Sequence, residues 1–181
     1  MQKAWRPKRL NNLLGAILAG GQARRFGSDK AHALHGGMRL IDHVAEALGS
    51  QTTALIVCGR SEPGFGCVTD EPQTGLGPLG GLNAALLFAE RHGFTHVLSA
   101  GVDAPNIPGD LAARLSGEGA AIVASQPVVG LWPVSVADDL ARFLAAGGRA
   151  LYEFADLAQA RRVELPEPLL NVNRPGDLPT R

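Results

Sequence analysis

Short apolar runs that alternate with helical stripes constrain this chain more than any other feature. Residues 13–19 are apolar around a single glycine and stop at Gly20-Gly21. A run of that length, ended by glycines, reads as a strand buried on both faces. Residues 39–48 carry Leu40, Ile41, Val44, Ala45 and Leu48 at helical spacing, which predicts an amphipathic helix. The same patterns predict strands at 54–58, 66–69 (a weak one), 95–100, 121–124, 128–132 and 162–165. They predict helices at 82–91, 110–115, 136–145 and 151–157. The order β-α-β-β-α-β-α-β-β-α-α-β implies a three-layer α/β/α domain with a mainly parallel sheet between helices. Ligands of such folds sit beyond the carboxyl ends of the strands. The informative loops are therefore 20–30, 59–81, 101–108 and 171–175.

Composition narrows the function classes. The chain has 181 residues, 45% hydrophobic and 19% charged, which suits one globular domain. That domain is expected at 13–181, behind a disordered basic arm at 1–12 that carries Lys3, Arg6, Lys8 and Arg9. Seventeen basic and 17 acidic residues cancel to a formal charge of 0, which argues against a nucleic-acid binder. The 13–19 run is too short to span a bilayer. The basic start lacks the apolar stretch and cleavage site of a signal peptide. A cytoplasmic protein that neither crosses nor binds a membrane is expected. Cys58 and Cys67 are not spaced as a CxxC pair and read as reduced thiols.

The loop after the first strand carries the chemistry. It reads Leu18-Ala19-Gly20-Gly21-Gln22-Ala23-Arg24-Arg25-Phe26-Gly27-Ser28-Asp29-Lys30. Adjacent glycines let the backbone turn and leave N–H groups uncovered, which suits phosphate oxygens. Arg25 offers a planar fork, Lys30 a point charge, and Gly27 room to fold back. The pattern is neither a Walker A motif nor a dinucleotide fingerprint, because no Gly-Lys-Ser/Thr is present and Gly20 and Gly21 are adjacent. The five histidines make no metal-ligand spacing, and no G-x-S-x-G marks a serine nucleophile.

Leu-Ala-Gly-Gly-x-x-x-Arg-x-Gly-x-Asp-Lys over 18–30 resembles the signature of molybdenum cofactor guanylyltransferases, MobA-like members of the nucleotidyltransferase superfamily. The resemblance continues through Asp70, Gly77-Pro78-Leu79-Gly80-Gly81-Leu82, the segment 103–111, the segment 126–132 and Asn171-Val172-Asn173-Arg174-Pro175. It implies a Rossmann-like, nucleotide-diphospho-sugar transferase-like fold. It also implies a Mg²⁺-dependent transfer of GMP from GTP to the terminal phosphate of molybdenum-molybdopterin, with release of pyrophosphate. Proteins acting before and after it in molybdenum cofactor assembly would be its partners.

The resemblance assigns roles residue by residue. Arg25, Lys30 and Asp103 are the expected catalytic set, with Asp103 holding Mg²⁺, a hard ion that favours oxygen ligands. Read without the family, Asp103 also suits a cap on the helix after Pro108, although Asp110 lies nearer to that helix. Leu18, Ala19, Gly20, Gly21, Gly27 and Lys30 are expected to bind the nucleotide. Leu18 and the loop Gly77, Pro78, Leu79, Gly80 and Gly81 are expected to read guanine through backbone groups. Asp70 is either a nucleotide contact or a turn aspartate before Glu71-Pro72. Asn171 and Asn173 flank Val172, so in an extended segment both lie on one face. They suit phosphate or pterin atoms, and equally a turn. Arg149, after Gly147-Gly148, is open to a pterin phosphate or to solvent.

Two departures from the family pattern stand out. Cys58-Gly59 occupies a place where relatives often carry an asparagine. Only 125–127 joins two strands that relatives connect with a longer hairpin, which leaves the acceptor side less defined. The competing functions are a transferase of the same fold acting with CTP or on a sugar phosphate, and a non-catalytic carrier of the pterin cofactor.

Overall fold

In the computed structural model, which describes residues 12–20, 29–173 and 177, the first apolar run forms strand β1, Leu13–Leu18, buried along its whole length. Its side chains alternate: Leu14, Ala16 and Leu18 enter one core, Leu13 and Ile17 the other. A strand with two buried faces belongs at the centre of a sheet. β1 pairs in parallel with β4 (Ala54–Cys58) on one side and β6 (His96–Gly101) on the other. The remaining strands are β5 (Gly66–Val68), β7 (Ala121–Val123), β8 (Gln126–Pro133) and β9 (Arg161–Val163). The seven-stranded order is β5-β4-β1-β6-β8-β7-β9. β8 alone runs antiparallel to both neighbours, while every other pairing in this sheet is parallel.

Helices cover both faces. α2 (Pro78–Arg91), α4 (Ala137–Ala145) and α5 (Leu151–Leu157) pack over the core that holds Leu14, Ala16 and Leu18. α1 (Leu40–Gly49) and α3 (Leu111–Leu115) pack over the other. This is the expected three-layer arrangement with a mainly parallel sheet.

Four local details differ from the sequence expectation. A small antiparallel hairpin, β2 (Leu34–His35) with β3 (Met38–Arg39), precedes α1. Its two-residue turn is Gly36-Gly37, with φ of 60° and 85°; positive φ at both positions is the type I′ geometry, whose twist matches that of the strands. α2 begins at Pro78 rather than at residue 82, because proline is pre-organised for the first helical position and needs no partner for a missing N–H. β8 begins at Gln126, so Ala124-Ser125 alone joins it to β7, and a register shift lies between Ile122 and Val123. Asn12, assigned to the arm on sequence, heads β1: its carbonyl accepts from the Thr95 N–H at 3.0 Å.

Candidate active site

Strand register brings the informative loops together. Leu18 lies level with Cys58 on β4 and with Gly101 on β6, and Cys58 lies level with Val68 on β5. The residues that follow these positions (Gly20, Gly59, Asp70 and Asp103) therefore emerge along one carboxyl edge of the sheet.

Lys30 opens a three-residue 3-10 turn, Lys30–His32. Its Nζ donates to Asn173 Oδ1 at 3.1 Å and lies 3.5 Å from Asp103 Oδ2. Residues more than 70 positions apart thus meet at one ammonium. Asn173 Nδ2 donates to Asn171 Oδ1 at 2.7 Å, and both amides are exposed on either side of the buried Val172. The Val172 N–H donates to the Asp103 carbonyl at 2.9 Å, which ties the 171–173 segment to the β6 edge. Asn106 adds a second tie: its side chain accepts from the Leu170 N–H at 2.7 Å and donates to the Pro168 carbonyl at 3.1 Å.

The Asp103 carboxylate caps no helix. Its Oδ1 is buried and has no hydrogen-bond partner among the described residues. Asp110 heads α3 but makes no side-chain cap bond; its carboxylate pairs with Arg114 at 2.6 Å instead. A buried, unpartnered carboxylate oxygen is costly unless something occupies it. A carboxylate oxygen left open in this way has the chemistry to hold a hard cation such as Mg²⁺, which takes one or two carboxylates and completes its shell with other oxygens. Among the described residues no group of three or more His, Cys, Asp or Glu side chains converges as a metal cage.

Asp70 sits in a second, glycine-walled recess. It is buried, and burial pushes its carboxyl pKa up. Its Oδ1 has no partner among the described residues. A Cβ at Gly20 would lie 2.8 Å from Asp70 Oδ2, and one at Gly59 would lie 2.5 Å from the Gly20 Cα and 2.6 Å from Asp70 Oδ1. Gly59 also has φ of 84°, a left-handed conformation that suits glycine. At Gly59 the backbone is therefore packed too closely for a side chain. Gly80 and Gly81 close the recess, with Cβ positions 3.2 Å from Asp70 Cβ and 3.5 Å from Asp70 Oδ1.

That packing corrects the expectation of a free loop at 77–81. Leu79, Gly80 and Gly81 are buried in the first turn of α2, and the Gly80 N–H donates to the Gly77 carbonyl at 3.3 Å. Gly77 and Pro78 remain exposed at the helix start. Ala19 is half-buried, and its N–H is spent on the Cys58 carbonyl at 3.0 Å. Burial, with Asp70 nearby adding to it, pushes the Cys58 thiol pKa up, so it is inert, while Cys67 is exposed. Arg149 is turned back: its Nη1 donates to the Leu144 and Gly148 carbonyls at 3.1 and 2.5 Å, near the carboxyl end of α4, where a cation is favoured. Gly21, Arg25 and Gly27 lie outside the described residues, as does Arg174-Pro175.

Sequence reasoning missed one group. Arg60 forks onto Asp29, with Nη1 to Oδ1 at 2.8 Å and Nη2 to Oδ2 at 2.5 Å. This hydrogen bonding, with the Arg60 charge, the Ala31 N–H and His32 adding to it against burial, lowers the Asp29 pKa to about 2. Asp29 Oδ1 also accepts from the Ala31 N–H at 3.1 Å and so caps the Lys30 turn. The signal was an arginine directly after a strand on the ligand edge. Asp29 stands in the 18–30 signature, but nothing in the sequence pairs it with Arg60.

The comparisons agree with the geometry. Residues 15–163 match the family model described as the MobA-like NTP transferase domain. A molybdenum cofactor guanylyltransferase of Cereibacter sphaeroides is 43% identical, over 92% of this chain and 93% of its own length. One from Rhizobium leguminosarum bv. trifolii is 34% identical, over 93% and 90%. In fold, the chain is similar to molybdopterin-guanine dinucleotide biosynthesis protein A of Archaeoglobus fulgidus, with TM-score 0.73 and 21% identity, over 91% of this chain and 94% of that one. It is also similar to 2-C-methyl-D-erythritol 4-phosphate cytidylyltransferase of Thermus thermophilus, with TM-score 0.68 and 16% identity, over 90% and 93%. A mainly parallel sheet with Lys30, Asp103 and the 171–173 segment gathered at its carboxyl edge, in a chain this close to those relatives, belongs to the MobA-like NTP transferase family.

Proposed function

We propose that this chain is a molybdenum cofactor guanylyltransferase: it transfers GMP from GTP to the terminal phosphate of molybdenum-molybdopterin. The observation that carries the reading is 43% identity over 92% of the chain to a relative of that name. The convergence of Lys30, Asp103 and Asn173 supports it with a site suited to phosphates.

An oxygen of the acceptor phosphate attacks the α-phosphorus of GTP, the bond from that phosphorus to the bridging oxygen breaks, and pyrophosphate leaves. The acceptor is already ionised at neutral pH, so no general base is needed. What the protein supplies is alignment and charge. Lys30 and Arg25 neutralise the phosphates, and backbone groups of Ala19, Gly20, Gly21 and Gly27 border them. Asp103 would hold Mg²⁺, which when bound would supply Lewis-acid polarisation of phosphate oxygens. Leu18, Asp70 and the segment from Gly77 to Gly81 border the nucleoside, and Asn171 and Asn173 face the pterin phosphate.

Residues 13–181 act as one transferase domain behind the basic arm. We assign the reaction to the cytoplasm, a compartment that suits two free thiols. No helix among the described residues is long and apolar enough to cross a membrane. Proteins that supply molybdenum-molybdopterin and accept the dinucleotide are its partners.

Turnover with molybdopterin and Mg²⁺, read as pyrophosphate release, tests the reading. GTP should support it far better than CTP or UTP. Preference for CTP would make the chain a cytidylyltransferase. Turnover only with a sugar phosphate would change the acceptor. Binding without release would make it a carrier.

A further inference from the structure

A three-residue 3-10 turn has little stability of its own, because fixing it yields few hydrogen bonds. The turn that carries Lys30 is nevertheless held at both ends by groups from the β4–β5 connection. At its start, Arg60 grips Asp29 with both Nη atoms. At its end, His32 Nε2 lies 3.0 Å from both oxygens of Glu62, and His32 Nδ1 lies 3.6 Å from Asp29 Oδ2. Glu62 is the hub. Its carboxylate is fully buried, with Arg39 Nη1 at 2.9 Å and Arg60 Nη2 at 3.3 Å. Arg39 in turn forks onto Asp42 in the first turn of α1 at 2.7 and 2.8 Å. A buried carboxylate contributes little net stability even when paired, but two-pronged arginine contacts define direction.

We propose that Arg60 and Glu62 are positioning residues for Lys30, holding its backbone turn so that the ammonium meets Asp103 and Asn173. This rests on the reading that Lys30 acts on the phosphates. Neither residue reaches the Lys30 ammonium; both act through its chain neighbours, Asp29 and His32. The 3.1 Å and 3.5 Å contacts of Nζ depend on where that turn sits, and a displacement of about 1 Å at a phosphate contact is worth up to about a hundredfold in rate.

A double-mutant cycle with an independent local readout tests this. Arg60→Ala should lower kcat/KM for GTP by about tenfold to a hundredfold, and Arg60→Lys should recover only part of it, because the charge returns without the fork. In a Lys30→Ala background, Arg60→Ala should cost nothing further. If the two losses multiply, Arg60 contacts the substrate itself or props the fold, and the proposal is overturned. Amide hydrogen exchange at Ala31 should rise at least about tenfold in Arg60→Ala while distant core amides keep their protection. Unchanged exchange at Ala31 overturns the positioning role whatever the activity. Full activity of Lys30→Ala would instead remove the catalytic reading of Lys30 and leave the exchange result to decide the positioning. Should Arg60→Ala fail to fold, Arg60→Gln, which keeps the side-chain length but not the charged fork, takes its place in both measurements with the same expected outcomes.

Discussion

Asp103→Asn separates the metal-holding role from a structural one. The side chain is only 26% exposed, and its Oδ2 lies 3.5 Å from the Lys30 ammonium. At an effective dielectric of about 20, that separation corresponds to a gross attraction of about 5 kcal/mol, of which partly exposed pairs retain about 1 kcal/mol or less after solvation and entropy. Against it stands Oδ1, buried with no partner among the described residues, whose burial costs free energy. The two effects oppose, so stability should change by no more than about 1 kcal/mol, or about 2–4 °C in Tm for a chain of this size. The main-chain tie from Val172 to the Asp103 carbonyl survives the substitution. Activity should behave differently. An amide is a poor ligand for a hard divalent cation, and losing one such contact costs about 3–4 kcal/mol, or roughly 10²–10³-fold in turnover. The assay is a Mg²⁺ titration of pyrophosphate release in wild type and variant, with melting curves alongside. A higher half-saturating Mg²⁺ concentration with partial recovery at high Mg²⁺ is expected. An unchanged half-saturating concentration with a near-normal maximal rate would refute the assignment and move the search for the metal ligand to Asp70.

Lys30→Ala should reduce turnover about a hundredfold, the equivalent of about 3 kcal/mol of transition-state stabilisation, with melting nearly unchanged; near-normal turnover in a folded variant would remove Lys30 from the catalytic set. GTP with Mg²⁺ should raise Tm more than CTP, UTP or ATP at equal concentration, since a ligand that binds the native state alone stabilises it; equal shifts would mean that only the triphosphate is read. Burial raises the Asp70 pKa, so its contribution to stability is complete below the unfolded carboxyl value of about 3.9 and is lost as pH rises through the raised folded value. Asp70→Asn should therefore melt higher than wild type at pH 7, with the gain shrinking below about pH 4, while the GTP-induced shift falls; a variant that melts lower at pH 7 would make the buried carboxylate a stabilising group.

Much of this protein was determined by its sequence alone. The apolar run before Gly20 set β1 in the middle of the sheet, because six successive buried residues leave no face for water. Helical periodicity set α1 and α4, and turn chemistry marked the loop that carries Lys30. The Gly36-Gly37 turn is an equally local signal, but the strands beside it are only two residues long and carry no periodicity. These are local signals, and local periodicity encodes which way a residue faces. What faces it across space was decided by the tertiary structure. The reversal of β8 against its neighbours, the first turn of α2 closing on Asp70 and the return of Arg149 onto α4 all depend on how distant segments pack. The sequence named Lys30, Asp103 and Asn173 through the family pattern, but only the folded chain, with β1 and β6 in parallel register, brings the first two to 3.5 Å. Arg60 and Glu62 carry no pattern at all, and the pattern that includes Asp29 does not name its partner. A charged side chain in a sequence does not disclose its partner, because a long-range ion pair forms only where the folded backbone brings both groups to hydrogen-bond distance.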